Sequence, residues 1–171
     1  MRSSVTVRVL RETDFEAWLP LWNGYNAFYG REGSTALDPE VTKTTWNRFF
    51  DPVEPVFALV AEVEGKILGL AHFLHHRSTT RIELTTYLQD LFTTPEARGQ
   101  GIGRALIEAV YSAAKSAGVK RVYWQTHHTN ATGWTSPDFP DTSINATMAA
   151  GGVRWQQGHD GRLQRSSSVR R

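Results

Sequence analysis

Arg98-Gly99-Gln100-Gly101-Ile102-Gly103 stands between a strand-like run ending at Thr93 and the most regular helical pattern in the chain. That order constrains the fold more than any other feature. A helix begun by such a turn presents several backbone N–H groups with no intrahelical partner, and its dipole makes their surroundings favourable to an anion. Glycines serve the turn because it must visit positive φ and because a side chain would hold a phosphate away from the backbone. Arg98 and Arg104 add positive charge at the rim. In the helix that follows, Ile102, Ala105, Leu106, Ala109, Val110, Ala113 and Ala117 recur on one face and Gly118 supplies the stop. Two other phosphate motifs fail by counting. The Walker pattern requires Gly-Lys-Ser/Thr and the dinucleotide fingerprint a third glycine, whereas position 104 is arginine and position 106 leucine.

The elements around this unit follow from hydrophobic periodicity. Val5 to Leu10 alternates as a strand. Thr13-Asp14 offers N-cap chemistry for a helix over Phe15 to Tyr29, which Pro20 should kink or divide. Its aromatic residues Trp18, Trp22, Tyr25 and Phe28 read as core. Asp38-Pro39 opens a second helix through Trp46, Phe49 and Phe50. Val56 to Val63 and Lys66 to His75 read as strands paired antiparallel across Glu64-Gly65, and Leu84 to Thr93 and Val119 to Thr126 as two more. The predicted order is strand, two helices, three strands, helix, strand. This is an α/β chain with a mixed, mostly antiparallel sheet flanked by helices.

At 171 residues the chain suits one domain of this kind. Its longest apolar runs are broken well short of the ~20 residues that span a bilayer, and no secretory pattern precedes Val5, so a cytoplasmic protein is expected. With no cysteine, disulfides, thiolate metal sites and a covalent acyl-cysteine intermediate are excluded. From position 154 onward five arginines face one aspartate, while the rest carries 14 basic against 16 acidic residues. A near-neutral body with a basic tail is a poor footprint for nucleic acid. The pairs His75-His76 and His127-His128 lack a carboxylate at ligand spacing and read as surface or edge residues rather than metal ligands.

The stretch Leu88-Gln-Asp-Leu-Phe-Thr-Thr-Pro-Glu-Ala-Arg-Gly-Gln-Gly-Ile-Gly-Arg-Ala-Leu106 resembles the GNAT superfamily of N-acetyltransferases. It is similar in particular to members that acetylate polyamines, diamines and lysine-like amines. The resemblance implies acetyl-CoA as co-substrate. Backbone groups of Leu91, Phe92 and Thr93 would meet its pantetheine arm, where the family's fourth strand bulges. The run Arg98, Gly99, Gln100, Gly101, Ile102, Gly103 and Arg104 would hold the pyrophosphate, and Asn130 would touch the cofactor arm. The implied partner is a small-molecule or lysine-type amine, without membrane or nucleic acid, and a homodimer is compatible with the pattern.

Two departures from the family bear on chemistry. Gln89 stands where relatives often carry glutamate, leaving Asp90 as the candidate catalytic base. Neighbours on a strand point to opposite faces, so alternation alone leaves open whether Asp90 faces the substrate or the structure. No tyrosine follows Tyr123, so the family's usual general acid is missing. The resemblance holds over an acetyl-CoA-binding domain at 5–132. An atypical ending covers 133–171, expected to be poorly ordered because its apolar residues are sparse. A stretched ending, with a short helix from Ile144 to Ala150 and a strand at Val153 to Gln156, is the alternative. The leading function is direct transfer of acetyl to a primary amine, with turnover weakened by the missing acid; the rival is a degenerate transferase that binds CoA without catalysis.

Overall fold

The computed structural model describes residues 4–125 and three short strands beyond them, at 143–144, 155–157 and 163–165. Strand β1 (Thr6–Val9) leads through a 3₁₀ turn into helix α1 (Phe15–Phe28), followed by helix α2 (Pro39–Arg48). Strands β2 (Val56–Val63), β3 (Lys66–His76) and β4 (Thr85–Thr93) come next, then helix α3 (Ile102–Ser116) and strand β5 (Val122–Trp124). Beyond these lie β6 (Ser143–Ile144), β7 (Trp155–Gln157) and β8 (Leu163–Arg165). The order read from the sequence is reproduced up to β5.

Strands β1 to β6 form one sheet in sequential order. The first three pairings are antiparallel, and β4/β5 and β5/β6 are parallel. The β2–β3 hairpin turns at Glu64 (φ 50°) and Gly65 (φ 77°), the doubly left-handed geometry of a two-residue loop whose twist matches the strands. Parallel pairing of β4 with β5 requires a crossover, and α3 supplies it. In the segment expected to be atypical, β6 extends the sheet and β7 pairs antiparallel with β8 in a separate ribbon. The strand expected at Val153 to Gln156 overlaps β7, whereas Ile144 lies in a strand rather than opening a helix. Apart from these strands, the stretch 133–171, where poor order was expected, lies outside the described residues.

The sheet's two faces are covered by different helices. On one, Leu59, Ala61, Ala71, Phe73 and Leu88 pack against Ile102, Leu106, Val110 and Ala114 of α3. Ala114 thus joins the buried stripe, while Ala117 lies beyond the helix as its cap. On the other face, Ala58, Val60 and Leu70 meet Trp18, Leu21, Trp22 and Tyr25 of α1, with Trp46, Phe49 and Phe50 from the α2 region closing over them. Phe28, read as core, is exposed. At Gly24 an added Cβ would stand 2.8 Å from Phe92 Cζ, so a larger residue there would have to push the Phe92 ring aside.

Two local expectations are corrected. Of the kink or division expected at Pro20, the division does not occur: helix α1 is continuous from Phe15 to Phe28. The proline and the residue whose carbonyl it leaves unbonded, Glu16, are both exposed, so water satisfies the freed group. Asp14 precedes α1 but does not cap it with its side chain. Instead Asp14 Oδ2 accepts the Arg11 N–H at 2.8 Å and an Arg8 N–H at 2.7 Å, while Arg8 Nε reaches Glu62 at 3.0 Å. This knot ties the entry of α1 to β1 and β2.

Candidate active site

Strict alternation along β4 would put Leu88 and Asp90 on the same face. The register breaks there: His72 pairs with Asp90 but its neighbour Phe73 pairs with Leu88, leaving Gln89 as the extra residue of a β-bulge. Gln89 is exposed. The bulge rotates the strand, so that Leu88 packs on the α3 side and Asp90 turns to the α1 side, after which Leu91 and Phe92 resume alternation. The bulge thus lies at Gln89, just before the Leu91 to Thr93 segment where the family pattern implied one. Parallel pairing with β5 ends at Leu88↔Trp124 among the described residues, so the backbone at 89–93 is paired with β3 on one side and has no β5 partner.

Asp90 is 5% exposed, and beneath it lies a chain of buried polar groups. Trp18 Nε1 donates to His72 Nε2 at 3.0 Å, and His72 Nδ1 lies 3.0 Å from Asp90 Oδ2. An indole N–H can only donate, so Nε2 must accept and the ring proton sits on Nδ1, from which it is donated to the carboxylate. His72 is itself wedged among Trp18, Trp22 and Phe49. The carboxylate is thereby fixed in orientation from below.

Three phenols feel the charge of Asp90. Tyr25 is pushed up by burial, then by the negative charge of Asp90. Burial and then Asp90 also raise Tyr29. Tyr87 is raised by burial, by its stacking partner Tyr123 and by Asp90. All three therefore keep their protons at neutral pH. Arg31 lies 5.9 Å from the Tyr25 ring centre and 5.6 Å from that of Tyr29. A carboxylate, three phenols and a guanidinium thus converge where α1 meets β4.

The glycine turn also takes the form that the sequence required. Gly99 (φ 77°) and Gly101 (φ 81°) are left-handed, and nothing stands within 4 Å of a Cβ placed at either. Gly101 caps α3, and the first amide to bond back is Ala105's, to Gly101 O at 3.0 Å. The N–H groups at the start of α3 therefore have no carbonyl partner within their own helix. Gly103 faces Thr93, whose Oγ1 would stand 3.8 Å from an added Cβ. Such a turn fits a pyrophosphate. Gln100 bends back toward Glu96 O, and Arg98 is exposed at the rim. Arg104 Nε is bonded by Glu108 Oε1 at 2.8 Å.

Residues 18–134 match the model of the acetyltransferase (GNAT) family. The chain belongs to that family. It is 41% identical over 128 residues to a D-amino-acid N-acetyltransferase, HPA3, from Saccharomyces cerevisiae, spanning 74% of this chain and 77% of that protein. Among solved structures, the integron cassette protein VCH_CASS6 from V. cholerae is similar at TM-score 0.62 and 22% identity, over 76% of this chain and 80% of the other. The acetyltransferase AAC(6')-Iy in complex with a CoA-bearing bisubstrate analog is similar at TM-score 0.62 and 17% identity, over 77% and 85%. At these identities the two structures speak for the fold. The chain is thus an acyltransferase with the GNAT fold, from a family that uses acetyl-CoA as co-substrate.

Of the site residues read from the sequence, Asp90 and Leu91 to Thr93 lie on β4 and Arg98 to Arg104 form the turn and first residues of α3. Asn130, His127 and His128 lie outside the described residues. His75 bonds Thr86 Oγ1 at 2.9 Å and His76 bonds the Tyr123 hydroxyl at 2.9 Å, and no cluster suited to a metal occurs among the described residues. No helix among them is long and apolar enough to cross a membrane. Sequence reasoning missed His72 and Arg31. A histidine at the centre of an apolar strand, facing an aspartate once the hairpins are laid out in register, was the available signal for His72.

Proposed function

We propose that this acetyltransferase seats the pyrophosphate of acetyl-CoA on the Gly99–Arg104 turn and acetylates the amine of a free amino acid, with Asp90 taking the proton. The observation that carries the reading is the bulge at Gln89, which turns a buried, hydrogen-bonded carboxylate to the α1 side of β4, where the phenol of Tyr25 lies. When bound, acetyl-CoA supplies an activated acetyl thioester. The chain's own residues do the rest. An ammonium group must lose a proton before its nitrogen can attack, and Asp90 accepts it directly or through one water. The splayed backbone of Leu91 to Thr93 borders the reacting end. The family's tyrosine acid has no counterpart after Tyr123, but Tyr25, Tyr29 and Tyr87 all hold protons at neutral pH, and one of them serves as donor.

An amino-acid acceptor agrees with the 41% identity to a D-amino-acid N-acetyltransferase. A polyamine, diamine or lysine-like acceptor, the narrower expectation from the sequence, is also drawn to Asp90, but Arg31 beside the same phenols opposes a second positive charge. Release of free CoA, followed against D- and L-amino acids, diamines, polyamines and a lysine peptide, tests the choice. Turnover of amino acids well above that of diamines is expected. Preference for a polyamine would overturn the acceptor class, and CoA binding without turnover on any amine would establish the degenerate transferase instead.

A further inference from the structure

Helix α1 ends in a way that does more than stop it. Gly30 adopts φ 75°, its N–H bonds Ala27 O at 2.9 Å, and the Arg31 N–H reaches back to Asn26 O at 2.9 Å. This is the left-handed cap in which the residue two beyond the helix is tied to its last full turn. The Arg31 side chain is tied to the same residue: its Nε donates to Asn26 Oδ1 at 2.7 Å. Asn26 is buried, and its own amide donates to Trp22 O at 2.8 Å. One residue thus grips both the backbone and the side chain of Arg31. The guanidinium, half-buried, is laid beside the Tyr25 and Tyr29 rings, and its two terminal nitrogens have no partner among the described residues.

A guanidinium is costly to immobilise, and a lone one at a surface ordinarily waves free in water. Here it is fixed at Nε and at the ring faces, leaving its two terminal N–H₂ groups presented as a fork. Such a fork matches a carboxylate, with two parallel N–H···O bonds. Arg31 and Asp90 address the same phenols: the cation lies beside the rings of Tyr25 and Tyr29, and the carboxylate acts on both hydroxyls. The site therefore offers a fixed positive and a fixed negative charge on one aromatic wall.

We infer that Arg31 is the specificity-determining residue that holds the α-carboxylate of the acceptor, so that the α-amine falls toward Asp90. The inference rests on the amino-acid reading above and names the residue that enforces it. A zwitterion satisfies both charges. An amine of the same shape without a carboxylate satisfies only Asp90, and a diamine meets Arg31 with a like charge.

The test compares the wild-type enzyme with Arg31→Gln, using an accepted amino acid and its methyl ester, which keeps the amine and side chain and removes the negative charge. Glutamine retains a donor for Asn26 and removes the fork. For the amino acid, kcat/KM should fall about 10- to 100-fold, carried by KM, because ground state and transition state lose the same contact. For the ester, it should stay within about twofold. Arg31→Lys, which keeps charge without the fork, should recover part of the loss for the amino acid only. Equal losses on amino acid and ester would show that Arg31 merely supports the end of α1, and no loss on either would place the carboxylate elsewhere; both overturn the proposal. If instead the wild-type enzyme turns over amines but no amino acid, the acceptor reading itself has failed, a result visible before any variant is made.

Discussion

Replacing His72 by phenylalanine removes both links of the buried chain while keeping a flat ring of similar size. Trp18 is fully buried and His72 2% exposed, so water cannot take over either partner. The indole N–H, 3.0 Å from His72 Nε2, would be left unpaired at a cost of about 1–3 kcal/mol. Asp90 would lose a charge-assisted bond, worth about 1.5–3 kcal/mol. The ring itself is retained among Trp18, Trp22 and Phe49, so little cavity term is added. A loss of roughly 3–5 kcal/mol is expected, against a total stability for such domains of about 5–15 kcal/mol. Urea unfolding measures it directly, as a fall in midpoint at constant slope. Trp18→Phe removes the same donor and also one ring of a fully buried indole packed on Trp22, Trp46 and Phe49, so it should cost about 2–4 kcal/mol, with the double variant less destabilised than the sum because the two residues share one bond. A loss below about 1 kcal/mol for His72→Phe, or strict additivity, would refute the assignment of these hydrogen bonds.

Gly101→Ala should leave the fold intact, since nothing crowds a Cβ there, while straining a left-handed residue by about 1–2 kcal/mol. Calorimetry should therefore show acetyl-CoA affinity reduced about tenfold or more, and unchanged affinity would remove the turn from the cofactor site. Asp14→Asn should destabilise by about 2 kcal/mol near neutral pH, because it removes the charge and one of the two oxygens that accept from Arg8, the main cause of the lowered Asp14 pKa. A carboxyl depressed in the folded state contributes stability above its unfolded value of about 3.9 and loses it as pH falls, so the variant and parent should converge in acid. A difference that persists at pH 2 would point to packing instead.

The order of elements to β5, the hairpin at Glu64-Gly65 and the α3 stripe were legible because each rests on local periodicity or turn chemistry. The glycine turn was legible for the same reason. The orientation of Asp90 was not, since alternation placed it with Leu88 and only the pairing of β3 with β4 shows that Gln89 is the extra residue. His72 carried no local signal, because its partners Trp18 and Asp90 lie 54 and 18 residues away. Pro20 read as a kink or a division because its helical position was visible and its exposure was not. Arg31 was hidden behind Gly30, which signals the end of a helix but not what the next side chain can reach.

The central claim is that the carboxylate turned inward at Asp90 accepts the amine's proton. Its most direct test is the pH dependence of kcat for CoA release with an accepted amino acid, measured for the wild-type enzyme and Asp90→Asn under saturating acetyl-CoA. The asparagine keeps the size of the side chain and its bond to His72 but cannot take a proton. The account expects kcat to drop about 10²- to 10⁴-fold near neutral pH with acetyl-CoA affinity unchanged, and activity to return as pH is raised and the free amine appears without help. A variant that turns over within a few-fold of the parent at neutral pH, with the same pH profile, would contradict it.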